Sequence, residues 1–400
     1  MFKNRYLMLS TAVVITLFLG VLYAWSVFVI PLEKAFGWVR PETSRTFTLL
    51  MTFFCLGMLC SGKVLAKIGP SKTVFLGGAL GGVGFFAASY TSSLLWLYLT
   101  YGVIAGFGIG LANVVLTGVI LRWFSDKRGF ASGVLTAALA LGAFFLGAKG
   151  APIFLEKFGW EGTFRFLGIA YWVAVCPLSL LIRFPKAGEG PGANAASAAN
   201  AVELWGYTPK EMLRVPTSWF LMFWLLFIHT GGLMLIGHIA PYVQSVGFSP
   251  EIAAFVVGVL ALSNAAGRFT FGFLFDNLGR KPTMILNSIT ISTGLLVLAF
   301  LPAVWGYPAL IVGVILSGMA YGGSIPQLAA MVSGFFGPKF FTTNYGVAAL
   351  ASMVAAFSGP LLAAEIMHKY SYKEAIVTAA LISGFSLLMA ILIRAPKAKA

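Results

Sequence analysis

The sequence predicts an all-α membrane protein with twelve transmembrane helices in two pseudo-symmetric halves of six. Three observations support this prediction. Hydrophobic residues make up 59% of the 400 positions and charged residues 10%, whereas a soluble domain carries about 25% charged residues. The mean hydropathy is +0.91. Apolar runs of about 20 residues, enough to cross a bilayer, recur along the chain. Too few charges remain to cover a water-exposed surface.

The spans follow from the apolar runs, which charged residues, Pro and Gly interrupt. The first half is expected to span the membrane at about 6–30, 43–66, 72–90, 93–121, 128–151 and 162–183. The second half is expected to do so at about 217–243, 251–275, 282–302, 307–336, 342–364 and 374–394. The segment 185–215 contains GEGPGANAASAANA and is predicted to be a flexible cytoplasmic linker between halves 1–184 and 216–400.

The distribution of basic residues predicts the orientation. With the N-terminus inside, 18 of the 27 Lys and Arg residues fall on the cytoplasmic side and 7 on the outer side, with Lys149 and Arg268 left within spans. This bias follows the positive-inside rule, so we expect both termini in the cytoplasm and the protein in a bacterial inner membrane. The net charge of +15 then needs no nucleic-acid partner.

The two halves resemble each other at a constant offset. Gly57–Lys72 aligns with Gly267–Pro282 at a shift of 210, and Gly110–Val134 aligns loosely with Gly323–Val347. Such an offset indicates an internal duplication, which is typical of alternating-access carriers. Arg268 aligns with Met58, so the duplication does not supply this cation twice.

Arg268 is the single charge in the apolar run Ala253–Phe275. A cation at the centre of a span costs about 2.5–3.5 kcal/mol on insertion scales, and such residues usually mark a substrate or ion path. A guanidinium pairs bidentately with a carboxylate. The sequence therefore predicts a carrier for a small organic acid.

A loop motif adds a resemblance to a family. Gly272, Asp276, Gly279, Arg280 and Lys281 join the eighth and ninth spans, and this pattern resembles the signature loop of the major facilitator superfamily. The first-half copy is degenerate, with Ala66 in the Asp position. The resemblance implies twelve spans, alternating access and a gating role for Asp276 and Arg280.

Two further segments narrow the resemblance. Residues 20–26 (GVLYAWS) are similar to the first span of the oxalate:formate antiporter family, and residues 122–133 (RWFSDKRGFASG) resemble a segment shared with the monocarboxylate transporters. The latter are proton-linked carriers of lactate and pyruvate. Both resemblances imply that Arg268 binds the substrate carboxylate.

Two departures bear on the choice between these families. The oxalate exchanger has a second cation in span eleven after an Asn-Tyr-Gly, but here the position following Asn344-Tyr345-Gly346 lies near Ser352. One cation neutralises one carboxylate, which favours a monocarboxylate; a cavity-facing Lys149 would weaken this argument. Asn264 stands where animal monocarboxylate transporters have Asp. His229 and His238 on span seven are then the candidates for proton coupling or gating, with His238 preferred because it lies nearer the outside.

Polar groups on other spans complete the expected site. Asn264, one turn before Arg268, and Tyr23, Asn113 and Tyr321 are candidate substrate contacts, although each could instead serve helix packing. No cofactor or metal is expected, and the protein is expected to function as a monomer in the bilayer. The rival hypotheses are an oxalate:formate-type exchanger, a non-transporting acid sensor and a drug exporter. An enzyme is not expected, since no metal cluster, nucleophile–base pair or nucleotide loop is recognisable.

Overall fold

The computed structural model describes residues 2–186, 189 and 205–396, and every regular element within them is helical. Most of the predicted linker, 187–188 and 190–204, lies outside the described residues, as do the side chains of Tyr23 and Lys149. The division of the chain at this linker stays a prediction.

The helices of the first half include several short irregular segments. A 3₁₀ turn interrupts the first span, π-helical segments lie in the fourth, fifth and sixth spans, and the second and third spans form one continuous element. Their bounds are Phe2–Leu19, Gly20–Ala24, Trp25–Phe36, Arg40–Ala88, Leu94–Leu97, Tyr98–Ala105, Gly106–Trp123, Arg128–Gly142, Ala143–Gly150, Ala151–Ala170, Tyr171–Val175 and Cys176–Ser179.

The helices of the second half are longer and more regular. A short capped helix, Pro209–Arg214, precedes the seventh span, and another short helix, Pro302–Trp305, follows the ninth. The six spans of this half are Pro216–Ser245, Pro250–Leu278, Arg280–Phe300, Tyr307–Phe336, Phe341–Lys369 and Tyr372–Leu392.

The span count depends on one glycine. Within the described residues, eleven helices are long and apolar enough to cross a membrane. One of them, Arg45–Ala88, is two spans joined without a loop, because Gly69 has φ 77° and ψ 173° and breaks the helix there. This left-handed backbone favours glycine. The twelve predicted spans of an all-α membrane protein are therefore confirmed, although the second and third follow one another directly.

The chain forms two compact units. Unit 1 comprises Met1–Lys127, Ala138–Gly206 and Gly337–Val347, and unit 2 comprises Arg128–Ala137, Tyr207–Phe336 and Ala348–Ala400. Each unit therefore includes one short helical segment from the other half of the sequence. Arg128–Ala137 is the first part of the fifth span, and its packing in unit 2 positions the candidate site.

Buried aromatic rings connect several helices of unit 1. Tyr101 is fully buried, and its ring centroid lies 4.9 Å from that of Trp25, 5.4 Å from that of Phe85 and 5.6 Å from that of Phe164. These rings come from the first, third, fourth and sixth spans, so each aromatic contact ties separate helices together.

Candidate substrate-binding site

Arg268 is a buried cation in the middle of the eighth span, Pro250–Leu278. Only 5% of its surface is exposed. Its Nε donates to Oδ1 of Asn264 at 3.0 Å, and its Nη1 donates to the main-chain oxygen of Thr136 at 2.5 Å. Asn264 lies four residues earlier and therefore on the same helix face. Both of these acceptors are neutral oxygens, so the two bonds orient the guanidinium without cancelling its charge.

Close packing of the fifth and eighth spans brings Thr136 within reach of Arg268. A Cβ on Gly133 would lie 2.6 Å from the main-chain oxygen of Arg268, and a Cβ on Gly129 would collide with the main chain of Gly272. Glycines at helix crossings allow this approach, as is usual in membrane bundles. The resulting short distance allows a side chain of one helix to reach a main-chain carbonyl of the other.

A second polar group lies on the seventh and tenth spans of the same unit. His229 is buried, with 3% of its surface exposed, and its Nε2 lies 2.8 Å from Oγ of Ser324. The ring of Tyr321 packs against the imidazole with a centroid distance of 4.8 Å. Tyr321 also packs against the seventh span at Gly232, where a Cβ would lie 2.5 Å from its ring.

The tenth span connects these two polar groups. A Cβ on Gly322, the residue after Tyr321, would lie 2.8 Å from Oδ1 of Asn264, the atom that accepts from Arg268. Unit 2 thus brings together four of the predicted residues: Arg268, Asn264, Tyr321 and His229. The positive charge of Arg268 acts on His229 through space.

His238 occupies a different environment from His229. It is half-buried, nine residues further along the seventh span, and its Nε2–H donates to the carbonyl of Pro360 at 3.2 Å. Nine residues rotate a helix by about two and a half turns, so the two imidazoles lie on opposite faces. The structure does not place His238 in the group around Arg268.

Asp276 and Arg280 lie at the other end of the eighth span and its following turn. The carboxylate of Asp276 accepts the main-chain N–H groups of Gly129 and Phe130 at 2.8 and 2.7 Å. These N–H groups belong to the first turn of the fifth span, where a helix leaves donors unpaired and favours negative charge. The guanidinium of Arg280 stacks over Phe335 at 5.0 Å. Asp276 and Arg280 therefore contact helix ends and lie apart from the buried polar group around Arg268, and a gating role for them stays a prediction.

The two remaining predicted contacts belong to unit 1. Asn113 is half-buried in Gly106–Trp123, and its main-chain oxygen accepts from the Thr117 hydroxyl at 3.0 Å. Tyr23 lies in the 3₁₀ turn Gly20–Ala24, and its side chain is outside the described residues. A substrate role for either residue stays a prediction.

Sequence reasoning missed two members of the group, Thr136 and Ser324. Thr136 contributes only a main-chain oxygen, for which no side-chain pattern gives a signal. Ser324 lies three residues after Tyr321 and therefore on nearly the same helix face, which is a signal that could have been used.

Sequence comparisons place the chain among known transporters. A family model described as Major Facilitator Superfamily matches residues 10–305 and 222–400. The chain is 28% identical to the oxalate:formate antiporter of Oxalobacter formigenes over 391 residues, covering 97% of this chain and 91% of that protein. It is 25% identical to monocarboxylate transporter 13 of Rattus norvegicus over 382 residues, covering 92% of this chain and 84% of that protein.

Solved structures agree on the fold. The proton:xylose symporter XylE superposes with a TM-score of 0.74 at 15% identity, covering 98% of this chain and 96% of that one. The human organic anion transporter MFSD10 superposes with a TM-score of 0.70 at 16% identity, covering 96% of this chain and 99% of that one. The relatives and the fold are those of multi-pass membrane transporters, and the chain belongs to the Major Facilitator Superfamily.

Proposed function

We propose that the chain is a secondary active transporter of small monocarboxylates, lactate- or pyruvate-like, that works by alternating access with proton symport. It acts as a monomer in a bacterial inner membrane with both termini in the cytoplasm. The observation that carries this proposal is Arg268, a buried cation in the middle of a span whose Nε and Nη1 donate to neutral oxygens. A cation in this setting attracts an anion of single charge, and a carboxylate matches its planar donors.

The size of the charge argues for one carboxylate. In the eleventh span, Phe341–Lys369, the position near Ser352 carries no cation, and the basic residues of this helix are in its last turn. A dicarboxylate held by Arg268 alone would keep one buried negative charge without compensation, which is costly at low dielectric. Lys149 is the other basic residue that the sequence predicts within a span away from the cytoplasmic and outer ends, so the experiment below includes it.

The second candidate is anion exchange of the oxalate:formate type. It is favoured by the 28% identity to the Oxalobacter antiporter over 97% of this chain. This candidate requires a counter-anion inside the vesicle and no pH gradient, whereas proton symport requires a pH gradient and no counter-anion. A non-transporting sensor would bind the acid without any flux.

The experiment is uptake of radiolabelled L-lactate into proteoliposomes that contain purified protein. Empty vesicles with an inward proton gradient are compared with vesicles loaded with lactate, formate or oxalate at equal pH. We expect pH-driven uptake that unlabelled pyruvate inhibits and oxalate does not. Uptake that needs internal oxalate or formate and ignores the gradient would favour the exchanger instead.

Substitutions test which basic side chain binds the carboxylate of the substrate. Arg268→Ala removes charge-assisted hydrogen bonds worth about 1.5–3 kcal/mol each, so lactate uptake is expected to fall by about 100-fold. Arg268→Lys keeps the positive charge but loses the paired N–H donors of the guanidinium. Compared with Arg268→Ala, it is expected to restore lactate uptake only in part. Lys149→Gln tests whether a second cation binds substrate. The single-carboxylate argument is wrong if oxalate inhibits lactate uptake by the wild type and no longer inhibits it in Lys149→Gln. Wild-type uptake by Arg268→Ala would contradict the central claim.

A further inference from the structure

We propose that His229 is the group that takes up the proton when an anion binds at Arg268, and that it does so at Nδ1. The inference rests on the proposed function, because it names the coupling residue of the same site. Asn264 beside Arg268 cannot titrate, so another group is needed for symport.

The hydrogen bonds of Ser324 fix which nitrogen of His229 is available. The Ser324 hydroxyl donates to the main-chain oxygen of Tyr321 at 2.7 Å. With its one proton on the Tyr321 carbonyl, Oγ of Ser324 accepts from His229, and we assign the ring hydrogen of His229 to Nε2 on this basis. In the neutral ring the lone pair is then on Nδ1, which is the atom that can accept a proton.

The contacts between helices bring this imidazole into the electrostatic range of the anion site. His229 packs on Tyr321, Gly322 packs on Asn264, and Asn264 accepts from Arg268. Within the described part of the chain, the ionisable groups that interact with the His229 ring are Arg268 of the eighth span and Tyr321 of the tenth. From the twelfth span, the atom nearest to a Cβ built on Gly231, two residues after His229, is the uncharged hydroxyl oxygen of Ser383.

Charge balance then couples the two ligands. In the empty site the burial of the imidazole disfavours a positive charge on it, and the positive charge of Arg268 adds repulsion. A carboxylate at Arg268 cancels that repulsion, so the imidazole can hold a proton. The loaded site, with one anion and one proton, carries the same net charge as the empty site. By linkage, the proton strengthens anion binding by the same factor as the anion strengthens proton binding.

His238 does not meet these conditions. Its Nε2–H donates to the carbonyl of Pro360, and it lies nine residues away on the opposite face of the seventh span. The sequence favoured His238 for its depth in the membrane, whereas the contacts of the two rings favour His229.

The first experiment separates exchange from proton-driven accumulation. His229→Gln keeps an amide donor for Ser324 but cannot titrate. In proteoliposomes we expect it to keep exchange of labelled L-lactate for internal lactate, because exchange needs no net proton movement, but to need more lactate than the wild type, because a proton no longer strengthens anion binding. An inward gradient of about two pH units can drive about 100-fold accumulation with one proton per anion. We expect this accumulation in the wild type and none in His229→Gln.

Two matched variants serve as comparisons. His368→Gln makes the same change at an exposed residue in the last turn of the eleventh span and is expected to match the wild type in both assays. His238→Gln is expected to keep the response to the pH gradient. Accumulation by His229→Gln at the wild-type level, or its loss in His238→Gln alone, would overturn the inference. A wild type that neither exchanges nor accumulates lactate would instead refute the proposed function.

A binding measurement decides the case in which His229→Gln moves no lactate at all. Calorimetric titration of the purified protein with L-lactate, in buffers of different ionisation enthalpy, counts the protons taken up per anion bound. We expect about one proton for the wild type and for His368→Gln, and none for His229→Gln, at a pH where the imidazole is neutral before binding. Equal proton uptake by His229→Gln and the wild type would overturn the inference whatever the transport assays give.

Discussion

The turns after the second and eighth spans have nearly the same backbone, although Ala66 in the first corresponds to Asp276 in the second. Gly69 has φ 77° and ψ 173°, and Gly279, 210 positions later, has φ 84° and ψ 175°. In the first turn the Thr73 hydroxyl donates to the oxygen of Gly69 at 2.6 Å, and in the second the Thr283 hydroxyl donates to that of Gly279 at 2.7 Å. The shift of 210 found in the sequence is therefore a repeat of three-dimensional structure.

The helix crossings repeat in the same way. A Cβ on Gly110 would meet the main-chain oxygen of Phe54, and a Cβ on Gly322 would meet that of Asn264, which is again 210 positions after Phe54. At the next turn Met58 and Arg268 are 4% and 5% exposed. The two halves thus share a frame, while one copy carries Phe and Met and the other Asn and Arg. This difference teaches that the same frame is built with apolar side chains in one half and polar ones in the other, so we expect that the polar pair is not required for folding.

Replacing Arg268 by its counterpart gives the largest expected effect. Arg268→Met is expected to reduce lactate uptake by about 100-fold, because it removes charge-assisted bonds to a carboxylate. Its thermal stability in detergent is expected to match or exceed that of the wild type, since a buried charge is lost. Met58→Leu, an apolar change at the paired position, is the control for uptake. An unstable Arg268→Met would show that the guanidinium holds the frame together.

The repeated glycines provide a test of the frame itself. Gly69→Ala and Gly279→Ala force a left-handed backbone on a residue with a Cβ, which costs about 1–2 kcal/mol each, so both melting temperatures should fall by similar amounts. Gly258→Ala is the control, because Gly258 is helical with open space around its Cβ position; this change should stabilise by about 0.5–1 kcal/mol. Clearly unequal losses at Gly69 and Gly279 would contradict a shared turn.

The Asp position of the loop should have a smaller effect on stability. We expect this effect when Asp276 is removed and much less of it when an Asp is introduced at Ala66. Asp276→Ala copies the first-half residue Ala66 and leaves the N–H groups of Gly129 and Phe130 without their acceptor. Losing such a cap costs about 1 kcal/mol, seen as a lower melting temperature. The reverse change, Ala66→Asp, is the matched control and should gain much less. A stability loss from Ala66→Asp as large as that from Asp276→Ala would argue against a specific cap.

Among the described residues, the ends of the sixth and twelfth spans differ by one half-exposed ion pair. Trp123 donates to the main-chain oxygen of Arg183 and Thr217 to that of Arg394, both at 2.8 Å. Arg183 also pairs with Glu189 at 2.5 Å, and this guanidinium lowers the pKa of the Glu189 carboxyl to about 2.

This pair should give the smallest effect. Because the pKa of the folded protein is depressed, the contribution of the pair to stability is present above the unfolded pKa of about 4.3 and is lost as the pH falls through the folded value. The melting temperature of Glu189→Gln should lie slightly below that of the wild type at pH 7, and the gap should narrow as the pH falls and close only near the folded pKa of about 2. A gap that widens on acidification would contradict this sign.

Much of the fold could be predicted from the sequence because lipid imposes a simple rule. A span must be apolar for about 20 residues, so hydropathy locates it. The repeat was visible because its glycines serve backbone geometry that no other residue supplies. The prediction placed a polar interval between the second and third spans, whereas Gly69 turns the chain within one residue.

The site was predictable only where a side chain carries the signal. Arg268 stands out in its span, and Asn264 lies one helical turn before it. Thr136 acts through its main chain, and the pairing of His229 with Ser324 joins residues 95 positions apart. Such partners depend on how helices pack, and hydropathy contains no information on packing register.

The eighth span forms hydrogen bonds with the first part of the fifth span at two positions along the helix. Arg268 holds the carbonyl of Thr136, and Asp276 holds the amides of Gly129 and Phe130, all within Arg128–Ala137. Any anion that draws the guanidinium toward itself must compete with that carbonyl for the same donor. An anion bound at Arg268 would then weaken one of several contacts that hold Arg128–Ala137 in unit 2, while the bonds of Asp276 and the bond from the Ser132 hydroxyl to the Pro326 carbonyl would remain.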